Sequence, residues 1–323
     1  MAALSGVVTG CRSEAGPSAE GTASAPVSAA GSAGVSASVA GPTGGCPAEI
    51  EVCGQRVGRD VEELVIDRCE DREVLDLAPV VCLGELRRLR VHRVRVTGLR
   101  PLVGLGKLRR IELSNRAIGW GEEAVDLGTL GDLPALTEVD LAGVEIGDAA
   151  VLRKLVRVTT LDLSCTSLKD VAPLAGLRAL SDLSLAGTEV SDLGPLKELG
   201  ALKRLDVEQT KVVELGFCRW LPQLETLILA DNEIKDLKGV EACTALQGLS
   251  LEHTSVESIR ALEPLPLRRL NLAFTNVDPD EMERFRKTHP GVSIFETPDP
   301  NQALTGNRYG SRRGELCAAK SIR

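Results

Sequence analysis

The sequence predicts an α/β solenoid, a curved right-handed superhelix of stacked coils with short parallel strands on its concave face and turns or 3₁₀ segments on its convex face. Three observations lead there. Apolar residues recur with a period of 22, as in Leu155, Val158, Leu161, Leu163, Thr166, Leu168, Val171 and Leu174, then Leu177, Leu180, Leu183, Leu185, Thr188, Val190, Leu193 and Leu196. Inside each unit a short Leu-x-Leu segment alternates with period two, as a strand with one buried face must. The return part of the unit carries Asp170 with Pro173, and Asp192 with Pro195, which favour short turns over long helices. A single coil cannot bury its own leucines, whereas stacked coils share a continuous core.

Composition narrows the function. The chain has 323 residues, 43% hydrophobic and 26% charged, a soluble globular balance long enough for one large or two ordinary domains. Four Phe, two Trp and one Tyr are too few for base-stacking platforms, and a net charge of -8 gives no basic footprint, so no nucleic-acid partner is expected. No stretch reaches the roughly eighteen consecutive apolar residues of a membrane span.

From the N-terminus, residues 1–48 form a leader dominated by Ala, Gly, Ser, Pro, Thr and Val, with little side-chain area to bury, and are expected to be disordered. Val8-Thr9-Gly10-Cys11 resembles the cleavage box of a bacterial lipoprotein, but no Lys or Arg precedes Arg12 and the apolar part is broken by Ser5 and Gly6. The nine cysteines are scattered without a CxxC pair, which suits neither a disulfide framework nor a zinc site and predicts reduced thiols in a cytoplasmic protein. The alternative is a secreted or lipid-anchored protein in which Cys46, Cys53, Cys69 and Cys82 form a disulfide-bonded first cap.

The repeat domain occupies 49–296, about ten coils with caps. Ile50 and Val52 suggest an extra edge strand, and Val61, Leu64, Ile66 and Cys69 make a degenerate opening unit. Regular units follow, on Leu83 to Val96 and from Leu133 onward, ending on Leu267, Leu270, Leu272, Thr275 and Val277. The unit beginning at Leu105 is longer than the others, and its excess, GWGEEAVDLG, places Trp120 on an irregular loop, either folded onto the convex surface to seal the insertion or exposed as a candidate binding anchor. After Val277, Asp278 caps a short helix with Pro279 at its first position, followed by a Pro290-Gly291 turn and a closing strand Val292 to Phe295. Residues 297–323 read as a polar, mildly basic, disordered tail.

The consensus LxxLxxLxLxxTxVxDLxxL resembles a leucine-rich repeat of the 22-residue class, the kind found in internalin-like and intracellular phosphatase-regulator-like proteins, over about residues 58–295. The recurring Thr166, Thr188, Thr210, Asn232, Thr254 and Thr275 are expected to turn inward and bond backbone groups of the neighbouring coil, as a structural ladder.

The strand register also fixes which side chains point outward. The first coils are basic, with Arg88, Arg90, His92, Arg93 and Arg110, and the middle coils acidic, with Glu138, Asp140, Asp162, Asp182, Asp206 and Glu208, beside small residues such as Ala142, Gly143, Ser164, Cys165, Ala186 and Gly187. A polar, open, charge-segregated face is either a solvated surface that keeps the protein in solution or a site for a protein partner of opposite charge order. Asp140 and Asp162 have the separation of a carboxylate pair in a retaining glycosidase, but no enclosed pocket or aromatic platform accompanies them. No cofactor or metal is implied, since His92, His253 and His289 are too far apart in coil position and no phosphate loop is present. Small-molecule turnover is not expected. The sequence therefore reads as a non-enzymatic protein-protein interaction module. One alternative is a surface adhesion protein. The other, a regulatory adaptor of a phosphatase or ubiquitin-ligase complex, lacks an F-box-like recruiting segment.

Overall fold

The computed structural model describes residues 45–67, 69, 74–96, 98–113, 126–296 and 317. The chain divides into units Met1–Gly41 and Pro42–Arg323, and the first, which holds most of the expected leader, lies outside the described residues. Strands run in chain order as β1 (Glu49–Val52), β2 (Gln55–Gly58), β3 (Glu63–Ile66), β4 (Val74–Leu75), β5 (Arg88–Val91), β6 (Arg95–Val96), β7 (Arg110–Glu112), β8 (Glu138–Asp140), β9 (Thr160–Asp162), β10 (Asp182–Ser184), β11 (Arg204–Asp206), β12 (Thr226–Ile228), β13 (Gly248–Ser250), β14 (Arg269–Asn271) and β15 (Ser293–Phe295). One helix, α1 (Pro279–Thr288), precedes the last strand.

Eleven of these strands form one parallel sheet, in the order β3, β5, then β7 to β15. Each pairing advances the chain by one coil, so Leu161, Leu183, Leu205, Leu227, Leu249 and Leu270 stand side by side. The register survives the long unit, where Arg110 on β7 still pairs with Glu138 on β8. The two strand leucines are buried in coil after coil, Leu161 with Leu163 and Leu183 with Leu185. Each coil also donates a backbone hydrogen bond to the next, as from Leu163 N to Ser184 O and from Leu185 N to Asp206 O.

The return segments are 3₁₀ turns, and the sequence sets them twice over. Pro173 and Pro195 fall at the first or second position of Ala172–Leu174 and Gly194–Glu198, where a missing N–H costs nothing. The preceding aspartate accepts the next free amide: Asp170 from Ala172 N at 2.8 Å, Asp192 from Gly194 N at 2.7 Å, and likewise Asp126, Asp148 and Asp236 in their coils.

The hydroxyl ladder differs from expectation. Thr166, Thr188, Thr254 and Thr275 donate to the carbonyl three residues back in their own coil, at 2.6–2.7 Å. A short Thr side chain reaches that local carbonyl before it reaches the neighbour. Asn232, one bond longer and bifunctional, does bridge: its Nδ2 donates to Val207 O and its Oδ1 accepts from Thr210 N.

Both ends of the described solenoid are sealed. At the start, β1 and β2 form an antiparallel hairpin apart from the main sheet, with Ile50 and Val52 buried in the core, so this segment is a cap and not an edge strand. At the far end Asp278 accepts from Asp280 N and Glu281 N, Phe285 is buried, and Glu281 accepts from Ile259 N and Ser258 Oγ of the preceding coil.

The expectation of unpaired thiols is overturned. Cys46–Cys82 and Cys53–Cys69 staple the first cap, Cys218–Cys243 joins adjacent coils inside the core, and Cys165–Cys317 ties the tail to the solenoid, with Cα separations of 4.8–5.4 Å. Spacing rules written for CxxC motifs miss this because a solenoid brings residues about one period apart into contact. Cys218 and Cys243 are 25 residues apart in sequence and face one another across consecutive coils. Trp120 and most of its loop, and the tail apart from Cys317, lie outside the described residues.

Leu185 is fully buried between coils, so Leu185→Asp places a charge where no partner can reach it. The variant is expected to lose roughly 3–5 kcal/mol, read as a large fall in the urea midpoint. An unchanged midpoint would falsify the register.

Candidate functional site: the concave face

The outward position at the end of each strand builds the face. On β8 and β9 it is Asp140 and Asp162, which stand directly opposite each other, then Ser184, Asp206, Ile228, Ser250 and Asn271 on the following strands. These aspartates have a local task as well. Asp140 accepts from Ala142 N at 2.9 Å, Asp162 from Ser164 N at 2.8 Å, and Asp206 from Glu208 N at 3.1 Å.

Those bonds support a sharp turn at the strand ends. One residue per coil there has positive φ: Arg93, Gly143, Cys165, Gly187, Gln209, Asp231, His253 and Phe274, with values from 52° to 74°. For a non-glycine residue this conformation costs roughly 1–2 kcal/mol. It is offset by the amide it presents, since Gly143 N donates to Ser164 O, Cys165 N to Ala186 O, Gly187 N to Glu208 O, and His253 N to Ala273 O in the adjacent coils. Sequence reading notes only that some of these positions are small. Gly143 and Gly187 are the signal that could have revealed the turn.

The basic part of the face is largely neutralised within itself. Arg88 and Arg90 lie 3.7 and 3.4 Å from Glu63, and Arg90 lies 3.3 Å from Glu112. Arg110 meets Glu112 at 2.5 Å and Glu138 at 2.7 Å. Burial opposes the charge on Arg110, but these two carboxylates outweigh it and hold its pKa above the ordinary guanidinium value. His92 sits 3.7 Å from Glu112, and the exposed Arg93 sits 3.9 Å from Asp67, off the strand. Charge is thus segregated in sequence more than in space, because successive coils place each arginine beside a carboxylate of the neighbouring unit.

The acidic part keeps a surplus. A concave cavity of about 190 Å³ is lined by Glu138, Asp140, Asp162, Asp182 and Asp206, with Thr160 and Ser184 between them and Arg110 and Arg204 at its two sides. Arg204 is shared, 3.8 Å from both Asp182 and Asp206. The face is not uniformly open as the sequence suggested. Glu138, Asp140, Asp162 and Asp182 are half-buried, whereas Asp206 and Glu208 are only 3% and 2% exposed. Among the described residues no cluster of His, Cys, Asp or Glu is placed to hold a metal ion.

Burial dominates the chemistry of Asp206. Desolvation, aided by Asp162 and Asp182 and opposed by the Glu208 amide and Arg204, pushes its carboxyl up from 3.8 to about 6. Asp182 is raised for the same first reason, with Arg204 opposing and Asp162 assisting. The folded state therefore holds the Asp206 proton more tightly than the unfolded chain does. Stability from this group is present below about pH 4 and is lost as pH rises through about 6. Asp206→Asn, which removes the charge and keeps the acceptor, is expected to gain on the order of 2–3 kcal/mol over the parent at pH 8 and little at pH 4. Urea denaturation across this range checks it, and a pH-independent difference would contradict the burial argument.

No family model and no curated protein matches the chain. Solved structures do. An internalin of Listeria monocytogenes (inlF) is similar with a TM-score of 0.55 at 18% identity, over 76% of this chain and 84% of that one. Internalin C2 of the same organism gives 0.52 at 27% identity, over 58% and 81%. A leucine-rich repeat protein of Leptospira interrogans gives 0.58 at 22% identity, over 67% of this chain and 56% of that one. The in-register parallel sheet, the 22-residue period and these structural likenesses agree, and the chain is a leucine-rich repeat solenoid.

Proposed function

We propose that this chain is a non-enzymatic protein-binding module whose concave face takes a basic segment of another protein. The observation that carries the reading is the cavity over β8 to β11, where Asp140, Asp162 and Asp182 accumulate with Arg110 and Arg204 as flanking cations. Adjacent strands lie about 4.8 Å apart, so in-register carboxylates repel one another, and a guanidinium or ammonium group laid over them relieves that repulsion. Leucine-rich repeat folds in general serve as interaction surfaces, and fold alone indicates a class of activity but no partner. The basic coils contribute less than the sequence suggested, because Glu63, Glu112 and Glu138 already occupy their arginines.

A second reading concerns location. Cytoplasmic residence was the expectation, with a secreted or lipid-anchored surface protein as the alternative. Four disulfides favour the alternative, since such frameworks persist in oxidising compartments. They account for eight of the nine cysteines and leave Cys11, the residue in the lipoprotein-like Val8-Thr9-Gly10-Cys11 sequence. A surface adhesion role is compatible with the same concave face.

Two measurements test these readings. Reversing Asp140, Asp162 and Asp182 to Lys is expected to abolish retention of proteins captured by the parent, whereas reversing the exposed Glu198, Glu214 and Glu257 is expected to leave it intact. The difference should shrink as salt shortens the screening length from its physiological value of about 8 Å. Equal behaviour of the two variants would remove the concave face from the proposal. For location, protein taken from its native source and denatured without reductant is expected to titrate at most one thiol, and nine after reduction. Nine thiols in the unreduced sample would restore the cytoplasmic reading.

A further inference from the structure

The carboxylates of the concave cavity differ in burial, and the most buried of them is Asp206 on β11. Its side chain lines the cavity of about 190 Å³ together with Asp140, Asp162 and Asp182, yet the residue is only 3% exposed. In register, Asp206 and Asp162 stand on either side of Ser184, on β11 and β9. The two carboxylates are therefore two strand steps apart, roughly 10 Å. Asp182 lies closer, at the other end of the intervening strand β10.

Among the described residues, the charged groups around Asp206 are mostly acidic. Its own strand supplies Arg204, 3.8 Å from both Asp182 and Asp206, and just past the strand end the buried Glu208, whose amide donates to Asp206 at 3.1 Å. On one side β10 brings Asp182 and β9 brings Asp162. On the other side β12 is Thr226-Leu227-Ile228 and brings no charge. Both Arg204 contacts are longer than a hydrogen bond, and Arg110, across the cavity, is held by Glu112 and Glu138. A carboxylate buried among like charges keeps its proton to higher pH than an exposed one. Burial, aided by Asp162 and Asp182, carries the Asp206 carboxyl up to about 6 against the pull of the Glu208 amide and Arg204.

Resting on the reading of this face as the binding surface, we propose that the face exchanges a proton for its partner's cation: a basic segment binds as Asp206 gives up its proton, and acidification returns the proton and releases the segment. The O–H bond of Asp206 is the one bond broken, and the proton passes to the bulk solvent. The ligand does not have to touch Asp206. A guanidinium or ammonium group over the half-buried Asp162 and Asp182 lies within about 10 Å of it, and in a site with little screening water this is near enough to favour the ionised form. The coupling is reciprocal, so the ionised form favours the cation by the same factor. With the carboxyl near 6, roughly one-tenth of the molecules carry an ionised Asp206 at pH 5 and nearly all do at pH 7.5. Full affinity is therefore present at neutral pH and is lost as pH falls through about 6.

The test uses a fluorescent, acetylated and amidated peptide whose only charged residues are arginines, so that the ligand itself does not titrate. It is titrated at low salt, at pH 5 and at pH 7.5, into the oxidised full-length parent and into full-length Asp206→Asn. The parent is expected to bind about tenfold more tightly at pH 7.5 than at pH 5. Asp206→Asn, a permanently neutral copy of the protonated face, is expected to bind at pH 7.5 about as weakly as the parent does at pH 5, and to change little between the two. Histidines gain charge on acidification wherever they stand, and they are the same in both proteins. A pH dependence that survives unchanged in Asp206→Asn therefore overturns the proposal. Equal binding by the parent at both pH values overturns the proton exchange and leaves the acidic face standing as a site. Binding at neither pH overturns the exchange and the acidic reading together. Calorimetry at pH 6 in buffers of different ionisation enthalpy counts the protons directly: the parent is expected to release more per peptide bound than Asp206→Asn, and equal counts overturn the proposal.

Discussion

Every coil of this protein is too small to bury its own leucines, and the whole structure follows from that shortage. A regular unit supplies one short strand and one 3₁₀ return, and its apolar side chains leave water only when another unit lies on each side. Stacking therefore has to be in register, Leu161 beside Leu183 beside Leu205, and the backbone bonds between successive coils enforce it. The same constraint explains the ends. A terminal coil has one unsatisfied side, and the β1–β2 hairpin and α1 with Phe285 cover the two sides with elements that break the repeat.

Register has a consequence on the opposite face of the sheet. Outward strand positions are aligned at the strand spacing, so aspartates that recur there, on β8, β9 and β11, gather on one surface. Asp140, Asp162 and Asp206 each accept the amide two residues on and so support the left-handed turn beyond the strand. Their local usefulness multiplies into a patch of like charge, partly compensated by Arg110 and Arg204. The charge of this face and the stability of the fold are thus drawn from the same residues. Asp206 shows the tension most clearly, since burial holds its carboxyl near pKa 6 while its oxygen is still needed by Glu208 N.

The disulfides fit the same mechanics. Cys218–Cys243 links neighbouring coils, while Cys46–Cys82 and Cys53–Cys69 fasten the first cap, where stacking is one-sided. Closing loops of these lengths restricts the unfolded chain by an amount on the order of 2–4 kcal/mol each. Cys165–Cys317 is of another kind: it joins a coil in the middle of the sheet to a residue 152 positions away, beyond the last strand.

The period determined the solenoid and the column of outward residues, and local signals determined the 3₁₀ returns marked by Asp170, Pro173, Asp192 and Pro195 and the capping helix begun by Asp278 and Pro279. Each of these is a local or nearest-coil property, and a one-dimensional repeat writes such properties directly into residue spacing. Tertiary structure decided what depends on distances between units. It paired Arg110 with Glu112 and Glu138, buried Asp206 and Glu208, turned the hydroxyls of Thr166, Thr188, Thr254 and Thr275 onto carbonyls of their own coil, and matched eight cysteines whose sequence separations range from 16 to 152. Spacing in sequence cannot report these, because whether a charge is solvated or a thiol has a partner is set by what the fold places beside it.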